Sequence, residues 1–269
     1  MNATTVESSF LLWALGLLVY WLAAHVGLAC VREAQREPGL HGNWAKLLVA
    51  GGALGTGMCA GFVLALTAET LAFPVGFRAD AGVAAWLVAM SMATAVSLWL
   101  ALRPGRSSFV FGGCLTGLLA LAVHATWLWS AGFRPGPSWP PQYSAAAASV
   151  MVIGWIGAWT LASSDGAVTG TARLCWRLAA SGLAALALAG GQEILLAGSA
   201  LPAQVGSVYH SHLPAPAVSL VAGALVPLAL VVVALDLALN RGKRRSGESS
   251  LSPPAPQRRR RRKYRIRGL

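Results

Sequence analysis

Phe109–Phe133, FVFGGCLTGLLALAVHATWLWSAGF, is apolar for 25 residues apart from one ionisable side chain, His124. A hydrocarbon core about 30 Å thick needs roughly 20 helical residues, so this stretch is long enough to cross a bilayer. An ionisable group inside such a span is costly and marks a functional position. Two other stretches, Lys46–Phe73 and Arg177–Leu201, read as weaker copies of it. Each starts at a basic residue and runs through small residues. The positions that match His124 are Phe62 and Gln192; the three lie 16, 18 and 15 residues past Lys46, Arg106 and Arg177.

Composition agrees with a membrane solvent. Hydrophobic residues make up 56% of the 269 and charged residues 11%, too few polar groups to coat a water-facing surface. Seven apolar runs are expected to be helices: 9–31, 46–67, 83–102, 109–131, 145–163, 178–200 and 217–240. The predicted fold class is therefore all-α, a polytopic membrane protein of seven transmembrane helices. The first run lacks a basic leader and is followed by Arg32, Glu33 and Arg36, so a cleaved signal peptide is not expected. Cys30, Cys59, Cys114 and Cys175 show no paired spacing and are expected as small apolar residues.

Orientation follows from the basic residues of the connections, which stay cytoplasmic. Arg32, Arg36, Lys46, Arg103, Arg106, Arg173 and Arg177 fall in connections of one side; only Arg78 and Arg134 fall in those of the other. That split of 7 to 2 predicts an N-terminus outside the cell membrane and a C-terminus in the cytoplasm. Twelve of the 21 Lys and Arg lie after Asn240. Two domains are expected: 1–240 in the membrane and 241–269 a disordered basic cytoplasmic tail. Its cluster Arg258, Arg259, Arg260, Arg261, Arg262 and Lys263 faces anionic lipid headgroups if it lies beside the membrane, at about 1 kcal/mol per basic residue. A plain topology anchor is the alternative, and no specific nucleic-acid partner is expected.

The two-helix period is the main organisational signal. GGAL at 51–54 recurs as GGCL at 112–115, and units of two spans insert in parallel orientation. Three such repeats and a closing helix account for the seven spans. Small residues crowd the runs, as in GGALGTG, FGGCLTG and GLAALALAGG, where close backbone approach supplies packing in lipid.

In this plan the chain resembles the MHYT integral membrane sensors of bacteria. GTGMCAGFVLAL at 55–66, GLLALAVHATWL at 117–128 and GGQEILLAG at 190–198 stand where that family carries its three G-x-G-x-x-x-M-H-Y-T-G-M motifs. The resemblance covers about residues 9–240 and includes Asn43-Trp44, LAF at 71–73 and LWLAL at 98–102. It implies a sensor of oxygen, carbon monoxide, nitric oxide or redox state that binds copper through motif Met, His and Tyr side chains. The motif His survives only as His124, with Phe62 and Gln192 as counterparts. The Met positions are Gly61, Val123 and Gly191, the Tyr positions Val63, Ala125 and Glu193, while Thr126 is kept. One His of three cannot build the family's site unaltered, so a degenerate site is expected.

The replacement ligands nearest in depth are Glu193, adjacent to Gln192, and the loop histidines His210 and His212. A copper, zinc or iron site centred on His124 with those groups is one reading. A hydrogen-bonded interhelical histidine with two solvated loop histidines is the other. No enzyme motif is present: no nucleophile with a base, no phosphate loop. With 29 residues after the seventh run, a stand-alone sensor or accessory protein is expected, signalling through a separate output protein. A small transporter or ion-pathway protein using Glu193, His124 and Gln192 is the alternative.

Overall fold

In hydrocarbon every backbone N–H and C=O must be satisfied within the segment, so long apolar runs have the helix as their outcome. The computed structural model describes residues 9–36, 43–69, 73–134, 138–164, 170–199, 206–209 and 213–250. It holds α1 (Phe10–Arg36), α2 (Trp44–Ala68), α3 (Ala79–Leu102), α4 (Arg106–Ser130), α5 (Pro141–Ser164), α6 (Gly170–Gly198) and α7 (Ala215–Ser250). All seven are long and apolar enough to cross a membrane. The exposed large side chains are those a lipid would meet, such as Val83 and Leu87 of α3, Ile153 of α5, and Leu220, Leu225 and Leu228 of α7. Ser97, Thr116, His124, Ser181 and Gln192 are buried instead.

Helix ends follow local chemistry. Asp80 occupies the first turn of α3, where the helix dipole favours a carboxylate, and Arg78 grips it through Nε at 2.8 Å and Nη2 at 2.5 Å. α5 starts at Pro141, a position that needs no amide donor. α4 ends at Ser130 with Ala131 as its cap, and the chain turns away at Gly132, whose φ of 61° suits glycine and where a Cβ would overlap the Tyr209 ring. The basic segment departs from expectation, because α7 continues as helix to Ser250 rather than ending near Asn240. Lys and Arg propagate a helix well and favour its C-terminal end.

The chain divides at Val233/Ala234 into two units, the second carrying the last part of α7. In the first unit α1 to α6 form a closed ring, each packing on the next and α6 returning to α1. Glycines let these backbones approach. A Cβ at Gly55 would lie 2.5 Å from the Met90 backbone nitrogen of α3, and one at Gly117 would lie 2.7 Å from the backbone of Val152 in α5. The first part of α7 leans on α1 and α2 through Val19, Ala60, Leu64 and Ala222, and the Thr67 and Ser219 hydroxyls meet at 2.6 Å. It is the least enclosed helix, with 17% of its apolar window buried against 78% for α2.

One end of the bundle is clipped by two antiparallel strand pairs: β1 (Gly76–Phe77) with β4 (Leu213–Pro214), and β2 (Phe133–Arg134) with β3 (Gly206–Ser207). Ser207 joins the connections, accepting from the Gly76 amide at 3.2 Å and donating to the Ala131 carbonyl at 2.7 Å.

Candidate functional site

Phe62, His124 and Gln192 each stand six residues before the last residue of their helix, Ala68, Ser130 and Gly198. At 1.5 Å per residue that sets all three about 9 Å from the strand end. The ring closure then turns α2, α4 and α6 toward one point, where the three side chains meet around Tyr20 of α1. All four are 0–1% exposed.

The contacts form a single hydrogen-bonded chain. His124 Nδ1 lies 2.5 Å from the Ala120 carbonyl, one turn back on α4. A carbonyl only accepts, so Nδ1 carries the proton. His124 Nε2 faces the Tyr20 hydroxyl at 3.3 Å. Tyr20 donates to Gln192 Oε1 at 2.6 Å, and Gln192 Nε2 donates to the Phe62 carbonyl at 3.2 Å. The Phe62 ring meets the imidazole edge-on, with centroids 4.8 Å apart at 88°. Such a network buries polar groups among apolar helices because nearly all of them have partners.

Glycine makes the space. A Cβ at Gly61 would overlap the Tyr20 ring, and one at Gly191 would lie 2.6 Å from the Met151 side chain. Thus Tyr20 of α1 and Met151 of α5 occupy the volume beside two of the glycines in the motif-like segments.

The other sequence-derived residues are placed differently. Glu193 is half-buried and accepts from Trp13 Nε1 at 2.8 Å, so it closes a bond to α1 rather than pairing with His124. Thr126 donates to Ala122 O at 2.8 Å on its own helix and is not joined to the cluster. His210 and His212 lie outside the described residues, as do Arg258, Arg259, Arg260, Arg261, Arg262 and Lys263. Glu69, just past α2, has its carboxyl held above the ordinary carboxylate value by burial, with the Glu193 charge adding to it. Tyr20 and Trp13 are not singled out by the sequence pattern. A phenol in the middle of the first apolar run is the available signal.

Copper needs several soft or imidazole donors. Among the described residues no group of three or more His, Cys, Asp or Glu is placed to hold a metal ion. The imidazole of the cluster is bonded at Nδ1 and faces a phenol at Nε2, with a phenyl ring on its flank. The described residues do not fit the copper centre that the family resemblance implies.

Two apolar cavities lie along α2 on its α7 side. One of about 280 Å³ is lined by Cys59, Val63, Trp86, Trp127 and Val221 among others; the next, of about 390 Å³, shares Thr56 and Val226 with it. No member of the cluster lines either.

Fold and cluster together define a multi-pass helical membrane protein with a polar centre sealed inside its ring. No protein-family model matches the chain, and no curated protein or solved structure is detectably similar to it.

Proposed function

We propose that the chain is an integral membrane sensor or accessory protein, built on the plan of the MHYT-type sensors, whose centre has exchanged metal ligands for a hydrogen-bonded cluster. The observation that carries this reading is the Tyr20–His124–Gln192–Phe62 chain, which ties α1, α2, α4 and α6 at one buried point. Residues of three two-helix units converging at equal depth is what a threefold internal repeat would produce. In this reading the strand end faces outside, the helix ends near Arg103 and Arg177 face the cytoplasm, and the tail 241–269 lies against anionic lipid. A separate output protein takes the signal. A cluster that bridges four helices biases their relative positions, which gives a local change a route to the far ends of those helices.

Two experiments test this. Copper titrated into purified wild type and His124→Ala should bind equally, at the background set by other donors. Stoichiometric copper lost in His124→Ala would restore the metal-sensor reading. Hydrogen exchange of Tyr20→Phe should alter protection at the far ends of α1 and α6, near residues 29–36 and 170–178. A change confined to one turn around Tyr20 would reduce the cluster to packing and remove the sensor reading.

A further inference from the structure

The hydrogen-bonded chain is one proton short. It has acceptor-only carbonyls at both ends, Ala120 O and Phe62 O, and four contacts between them. Each contact needs a proton. Neutral His124 supplies one, Tyr20 supplies one, and the Gln192 amide supplies the one directed at Phe62 O. The Gln192 orientation is set, because only its nitrogen can donate to that carbonyl. The unfilled contact is then Nε2 of His124 against the Tyr20 oxygen, and it is the longest of the four at 3.3 Å, while the phenol leans to Gln192 at 2.6 Å. The other tautomer does not help. It would fill that contact and set two lone pairs together at 2.5 Å between Nδ1 and Ala120 O.

We propose that the cluster is a proton-binding site, with His124 Nε2 as the atom that takes the proton and the Tyr20 oxygen as its acceptor. This deepens the reading of the cluster as the functional centre and rests on it. The proton comes from water and stays on the imidazole, so the site gains one positive charge and no other bond changes. Every contact then has a donor. The imidazolium gives Nδ1–H to Ala120 O on one side, and on the other three bonds run in one direction through phenol and amide to Phe62 O, an alignment in which each strengthens the next. Among the described residues the ionisable groups that act on the cluster are few. Cys59 of α2 and Glu193 of α6 both act on Tyr20, and Glu69, past the end of α2, interacts with Glu193. On α1 the group is Tyr20 itself, and on α4 it is His124. Glu193 itself is held by Trp13 of α1.

The test is nitrogen NMR of the full chain in nanodiscs with labelled histidine, His124 being assigned as the signal lost in His124→Ala. The neutral form should be protonated at Nδ1 and should become doubly protonated, in one step, while the protein is still folded. Gln192→Leu releases the Tyr20 proton to Nε2 and so fills the contact in advance. Tyr20→Phe removes the acceptor. Either variant should lower the proton affinity of His124 about tenfold, and the pair guards against one of them failing to fold. A neutral form protonated at Nε2, no doubly protonated form before unfolding, or variants that titrate as wild type would overturn the proposal. The exchange experiment above is independent of this titration, so a centre that binds a proton without moving helices and a centre that does neither give different results.

Discussion

At the scale of the residue, the cluster shows how much a single hydroxyl can organise. Tyr20→Phe removes the donor to Gln192 Oε1 and leaves a buried amide oxygen unpaired, which should lower stability by about 1–3 kcal/mol. Unfolding in mixed detergent measures it. Gly61→Ala should cost a comparable amount, about 1–3 kcal/mol, because its methyl group needs the volume of the Tyr20 ring. Glu69 provides a pH dependence. Its carboxyl is raised in the folded protein, so the native state holds that proton more tightly than the unfolded chain. The stabilisation is fully present below the ordinary carboxylate value and is lost as pH rises through the folded one. Stability should therefore fall across the weakly acidic range, and Glu69→Gln should flatten that slope. A profile unchanged by Glu69→Gln would show that other groups set it. His124 was legible because an imidazole stands out in an apolar run. Tyr20 was not, because an aromatic ring in such a run reads as one more apolar side chain until its hydroxyl has a partner.

At the scale of the element, the seams are glycine contacts between backbones. Gly117→Val should separate α4 from α5 and cost about 3 kcal/mol or more, since the atoms it meets are the Val152 backbone and cannot rotate away. A methyl group added at Gly182 would meet nothing within 4 Å, so Gly182→Ala should be neutral or stabilising by up to about 1 kcal/mol. Equal losses in the two variants would mean that helix propensity, not the seam, decides. The helices themselves were legible, with spans expected at 46–67 and 83–102 found as Trp44–Ala68 and Ala79–Leu102. Their ends were less so. α1 extends to Arg36 and α7 to Ser250, since Lys and Arg propagate a helix well once the apolar run has ended.

At the scale of the whole molecule, orientation and surface are tested together. Reporter fusions at residue 245 and within 134–142 should report cytoplasm and exterior respectively, and the reverse result would invert the proposed topology. A peptide of residues 241–269 should bind anionic vesicles and release them as salt rises; equal binding to neutral vesicles would rule out headgroup attraction. From sequence alone came the membrane solvent, seven helices and three positions of matching depth, because each depends on hydropathy and spacing along a single run. Only the tertiary structure decided that α6 returns to α1, that Ser207 joins connections from three parts of the chain, and that Tyr20 meets His124 and Gln192. Those last partners are 104 and 172 residues apart. Lipid forces a helix on each apolar run by itself, but it is equally content with any apolar face, so which faces meet depends on the fit of small residues and polar atoms between distant helices.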